Sequence, residues 1–235
     1  MLTSTALVLN NGKLRTFCSG NPTPKMTASS LDCNPLLEQS GLPKFQQIKP
    51  SQVEPAITQS LDHLKNEFRE MEKVLKNPQT GEAWGTRRIE YDYPGVIEQL
   101  EKIKAPLSYS WGVVGHLMGV KNSDDLRAAH KAMQPEVVKV FQTIGQSEAL
   151  FTSLSALKKR ESVWSKLDET KQRVVEKALK SMENSGVGLD EANRKKFNEL
   201  SLEASSLSTK FNNNVLDSTK AFKLRLTDPK DVDGT

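Results

Sequence analysis

Three histidines, His63, His116 and His130, are the side chains of this chain best suited to hold a metal or carry a proton near neutral pH. A helix-borne zinc site uses the pattern H-E-x-x-H. Its two imidazoles, one turn apart, bind the ion, and its glutamate takes a proton from the bound water. Here the residues that come after the three histidines are Leu, Leu and Lys, and no second histidine stands at metal spacing. Each therefore reads as a packing or surface histidine. Gly112, Gly115 and Gly119 in WGVVGHLMG have the spacing of small residues on one helix face. Without a preceding strand they build no phosphate loop, and close packing of a neighbouring helix is the expected reason for them. No nucleophile elbow or Walker motif occurs, and the carboxylates are spread among lysines as solvated pairs. The residues by themselves thus assign no catalytic, cofactor-binding or metal-ligating position.

Composition narrows the classes that remain. The 235 residues suffice for one large or two small domains, and 36% hydrophobic content supports a real core. The 33 Lys and Arg and 29 Asp and Glu give a formal charge of +4, with the two signs interleaved rather than blocked. That is a solvated helical surface; a nucleic-acid footprint would cluster its basic residues on one face, so no nucleic acid is expected as a partner. No apolar run approaches the roughly 20 residues a bilayer span needs, so no membrane is expected either. Cys18 and Cys33 form no metal site by themselves and fit a reducing compartment.

Residues 1–30 differ in composition from the rest of the chain. They are rich in Ser, Thr and Asn, carry Lys13, Arg15 and Lys25, and contain no acid. Such a leader is what mitochondrial or plastid import machinery reads; an ordinary disordered terminus is the alternative. Translation from Met26 would discard the leader and give a cytoplasmic form.

From Asn34 onward the periodicity is helical. Pro43 and Pro50 are expected to keep GLPKFQQIKP extended. Val53, Ile57, Leu61, Leu64, Phe68, Met71 and Leu75 then recur on one helix face. Ser51 with Glu54 offers a capping box for this helix, but Glu54 followed by Pro55 is the preferred start. NPQTGEAWGTRR, residues 77–88, is a loop. Asp92 should cap a helix bearing Val96, Leu100, Ile103, Leu107, Trp111, Val114 and Met118, kinked at Pro106. Asn122 and Ser123 begin the next, with Leu126, Ala129 and Met133. Pro135 is expected to put Val137, Phe141 and Ile144 on a separate or bent segment. Leu150, Phe151, Leu154 and Leu157 come next, then a stripe of Val174, Ala178 and Met182 closed by Gly186 and Gly188. No strand alternation is present, and the expected fold is all-α.

The last helix raises a separate problem. Asp190 is a good cap, and Phe197, Leu200, Ala204, Leu207, Phe211, Val215, Ser218 and Phe222 form one stripe through FNNNVLDSTKAF. Of the three asparagines Asn214 is nearest the seam, where it would fix register or bond a neighbouring element. A stripe this long needs a partner along its whole length, and KLRLTDPKDVDGT supplies none.

Several segments carry a resemblance. NPLLEQSGLPKFQQIKPSQVEPAI, HLMGVKNSDDLRAAHKAMQPEV, VEKALKSMENSGVGL and FNNNVLDSTKAF, in this order from about Asn34 to Thr235, are similar to the N-terminal part of the oligopeptidase A and thimet oligopeptidase family of zinc metallopeptidases. The oligopeptidase A branch, with its plant organellar and cytosolic members, is the nearer one. The resemblance implies an all-helical portion that forms one wall of a deep channel, which restricts substrates to short unfolded peptides. It also implies that the zinc motif and the third ligand, a glutamate, belong to a later half with no counterpart here. On this reading residues 34–224 are the helical domain, and 225–235 begin a truncated continuation. The chain would bind no zinc itself, would not hydrolyse peptides, and would have the missing catalytic half as its partner. A free-standing helical module that binds peptides or a full-length peptidase through the long stripe is the alternative from a different class.

Overall fold

The first long helix begins where the chain can leave its irregular lead-in at least cost. In the computed structural model, which describes residues 34–76, 92–228 and 230, a single 3-10 turn at Pro50–Gln52 runs directly into α1, Val53–Lys76. The Gln52 side chain turns back, and its Oε1 accepts from the Lys49 backbone N–H at 2.8 Å. This departs from the start expected at Glu54 and from the Ser51–Glu54 box. Proline at a first helical position has no amide bond to lose, so Pro50 opens the structure. Pro55 then falls at a first-turn position of α1, where amides have no intrahelical partner anyway. Residues 41–49 are not wholly extended, because the Gln47 N–H closes a turn on the Lys44 carbonyl.

α1 buries Val53, Ile57, Leu61, Leu64, Phe68, Met71 and Leu75, the stripe anticipated from spacing, and packs against three later helices, α2, α3 and α4. Fully burying an aliphatic or aromatic side chain contributes about 1.5–3 kcal/mol, so this face is the main source of cohesion. α2 spans Gln99–Val120 and is preceded by one wide turn at Pro94–Glu98. Asp92 caps it as expected: its Oδ1 accepts from the Gly95 N–H at 2.7 Å. Buried Ser110 on α2 donates its hydroxyl proton to the Leu36 carbonyl at 2.7 Å. Asn34 donates to the Gln52 carbonyl at 2.9 Å and accepts from the Leu36 N–H at 3.1 Å. The NPLL segment is thereby stitched to α2 and to the turn that leads into α1.

α3 runs from Asp124 to Gly145 without interruption, so the separate segment expected after Pro135 does not form. An interior proline costs about 3 kcal/mol. Burial of Met133 before the proline and of Val137, Val140 and Ile144 after it offsets that cost. α4 is Glu148–Lys159, α5 a single turn at Glu161–Trp164, and α6 Glu169–Asn184, which lies on α4. On α6 the buried valine is Val175 rather than Val174, which is 37% exposed. The rest of the expected stripe holds, since Met182 is buried and Ala178 packs against the core together with Leu179. α7, Glu191–Ala221, starts at Asp190, whose Oδ1 accepts from the Asn193 N–H at 2.9 Å. At 31 residues it is about 46 Å long.

Among the described residues every regular element is helical, and they belong to one compact unit, Cys33–Thr235. The leader over 1–30 with Cys18 and Met26, Cys33, the loop at 77–88 and residues 231–235 lie outside the described residues.

α6 ends as a Schellman motif. The Val187 N–H reaches the Met182 carbonyl at 3.2 Å and the Gly186 N–H the Glu183 carbonyl at 3.0 Å, with Gly186 at φ +86°. A Cβ at Gly186 would also stand 2.7 Å from Leu189 Cδ1. Gly186→Ala is expected to lower unfolding stability by at least about 1–2 kcal/mol, the left-handed penalty alone. The check is a fall in the urea midpoint at unchanged slope.

Candidate functional site

The structure scatters the three histidines. His63 is exposed on α1, and His116 is exposed on α2 with its ring 5.1 Å from that of Phe45. His130, on α3, is half-buried and stacks on Trp111 of α2, centroids 4.5 Å apart and planes within 19°. Its Nδ1 is buried and has no hydrogen-bond partner. Among the described residues no three His, Cys, Asp or Glu side chains form a group able to hold a metal ion. The described residues therefore do not fit a zinc centre. Gly112, Gly115 and Gly119 are exposed, and a Cβ at any of them would meet nothing within 4 Å. The close helix packing expected at these glycines is absent among the described residues.

The feature that stands out is how α7 is held. None of its residues is buried, and it rests on α3 through a seam of polar contacts. At its N-terminal end Arg194 donates to Glu148 at 3.1 Å and to the Leu189 carbonyl at 3.0 Å. One turn on, Asn198 and Gln146 exchange amide hydrogen bonds at 2.7 and 3.3 Å. Midway, the Gln134 Nε2 lies 2.9 Å from the Ser205 carbonyl, 2.6 Å from its hydroxyl and 2.9 Å from Thr209 Oγ1. Two amide protons thus serve three acceptors. Further along, Arg127 grips both oxygens of Asp217 at 2.8 and 2.5 Å, and this guanidinium holds the Asp217 carboxyl below its ordinary range. The seam turns the apolar stripe outward: Leu200, Leu207 and Phe211 are 55%, 57% and 68% exposed, and Val215 and Phe222 are exposed with them. Asn214, placed near a packed seam by its spacing, is exposed; Asn213 is the asparagine on the docked side.

Arg127, Gln134, Gln142 and Gln146 were not singled out from the sequence as a set. Their signal was a line of long hydrogen-bonding side chains flanking the buried stripe of α3, matched on α7 by Asn198, Ser205, Thr209 and Asp217. A shallow cleft where α4, the α6–α7 turn and α7 meet is lined by Phe151, Val187, Leu189 and Phe197 with Glu148 and Glu183 beside them. It offers apolar contact without a group poised for catalysis.

Fold and surface together define a helical domain with a consolidated core and an uncovered apolar face on its last helix. The sequence profile of the neurolysin/thimet oligopeptidase N-terminal domain matches residues 57–194. Among curated proteins the chain is similar to the organellar oligopeptidase A (chloroplastic/mitochondrial) of Arabidopsis thaliana, 37% identical over 87% of this chain and 24% of that protein. A probable cytosolic oligopeptidase A of the same plant is 36% identical over 87% of this chain and 27% of its own length. Oligopeptidase A of Haemophilus influenzae is 30% identical over 86% and 27%. The chain belongs to the neurolysin/thimet oligopeptidase family. It spans about a quarter of the length of these relatives.

Two outcomes are expected from this geometry. Burial against Trp111 disfavours the charged imidazole, so His130 should titrate below its ordinary 6.5. Its folded value is the depressed one, so the associated stability is present above pH 6.5 and is lost as pH falls toward that lower value. An NMR titration of the His130 ring should show this, with the midpoint rising in Trp111→Ala. Gln134→Ala removes the central contact of the seam and should reduce the docking of α7 by about 1 kcal/mol. Faster amide exchange across α7, with α1 unchanged, is the expected reading.

Proposed function

We propose that this chain is the noncatalytic N-terminal helical portion of a zinc metallo-oligopeptidase, and that in the complete enzyme it forms one wall of the channel that admits short unfolded peptides. The observation that carries the reading is the profile match over residues 57–194 in a chain that spans about a quarter of its oligopeptidase relatives. Residues 34–224 are the helical domain on this reading, and its partner is the remainder of the peptidase, which supplies the zinc ligands. The leader over 1–30 would direct it to mitochondria or plastids, and a start at Met26 would leave it in the cytoplasm. Among the described residues no helix is long and apolar enough to cross a membrane.

The uncovered α7 face favours a second reading, a free-standing module that binds through this surface. A quenched fluorescent peptide of about ten residues, incubated with the purified chain with added zinc and then with chelator, tests the first. No turnover by the folded chain is expected. Chelator-sensitive hydrolysis that persists through repurification would overturn the noncatalytic assignment.

A further inference from the structure

We infer that Asn122 is a positioning residue for the far end of α7: it holds the Arg127 guanidinium in the plane that meets Asp217, and so couples the turn between α2 and α3 to the last helix. Past Thr209, α7 continues for twelve residues to Ala221, about 18 Å of helix. Among the described residues the pair of Arg127 and Asp217 is the polar contact that ties this stretch to α3. Whatever orients Arg127 therefore sets where the far end of α7 lies.

The half-buried Asn122 amide is engaged at both ends. Its Nδ2 donates to the Met118 carbonyl in the last turn of α2 at 2.6 Å, and its Oδ1 accepts from Arg127 Nε. A carbonyl on one side and an N–H on the other leave the amide one orientation. The Arg127 backbone is set by the start of α3, where its N–H bonds the Ser123 carbonyl at 2.9 Å. Because a guanidinium is planar, a bond at Nε fixes the direction of its two terminal nitrogens, and those reach both oxygens of Asp217. An exposed ion pair contributes little when a long side chain must be ordered to make it. Here Asn122 has already ordered Arg127. The other charges acting on the pair are Asp124 on α3 and Lys220 on α7. Asn122 and Asp217 belong to two of the segments that carry the family resemblance, HLMGVKNSDDLRAAHKAMQPEV and FNNNVLDSTKAF, and Arg127 joins them into one network. The inference stands on these contacts and does not depend on the peptidase reading.

Amide hydrogen exchange of the full chain, together with an NMR titration of the Asp217 carboxyl, tests it. Arg127→Ala should speed exchange over residues 211–221 by about threefold, the size an exposed ion pair allows, with α1 unchanged. Asn122→Ala should do so by about twofold, although no hydrogen bond joins Asn122 to α7 among the described residues. In an Arg127→Ala background, Asn122→Ala should add nothing, because its effect passes through that side chain. Hydrogen bonding from Arg127, then its charge, holds the Asp217 carboxyl low, so Asn122→Ala should move the Asp217 midpoint up toward the ordinary 3.8. Loss of the Met118 contact alone would leave that midpoint where it is. Unchanged exchange over 211–221 in Asn122→Ala overturns the inference. So does an Asp217 midpoint that does not move, or an Asn122→Ala effect that persists without Arg127.

Discussion

α3 has to satisfy two neighbours of different chemistry at once, and most of the structure depends on that constraint. On one side it presents Met133, Val137, Val140 and Ile144 to α1 in the buried core. On the adjoining side it presents Arg127, Gln134 and Gln142 to α7. Apolar burial scales with area and is insensitive to angle, so the first interface anchors the helix. Hydrogen bonds demand distance and direction, so the second sets where along α3 the last helix lies.

The same division explains why Pro135 does not break α3. A helix that ended there would lose either the apolar contacts after it or the Gln134 contacts before it. It also separates the molecule energetically. α1 is gripped along its length by buried side chains, whereas α7 buries none and depends on a few polar contacts worth about 1 kcal/mol each. Elements held in this way open at lower cost than the core.

The polar seam also fixes which way α7 faces. With its hydrogen-bonding face on α3, its apolar face is exposed among the described residues. In the family to which the chain belongs the curated relatives it matches are about four times as long. Trp111 over His130 shows the opposite economy: the ring stack fills the α2–α3 contact and leaves a buried nitrogen without a partner.

Sequence alone determined the class of every long element, the starts of α2, α3 and α7 and the buried faces of α1 and most of α3. Apolar spacing, the cap residues Asp92, Ser123 and Asp190, and the glycine at position 186 act within a turn or two of themselves. The resemblance in NPLL, VKNS and NVLD likewise reached the family from residues alone. Tertiary structure decided what local pattern could not. Pro135 is carried through because its neighbours bury on α1, Val175 rather than Val174 faces the core, and the glycines of α2 meet open space. It also decided that α7 would dock by its polar edge. A stripe in the sequence shows which face of a helix would gain from being covered; whether anything covers it depends on side chains some seventy residues away, Gln134 for Ser205 and Thr209.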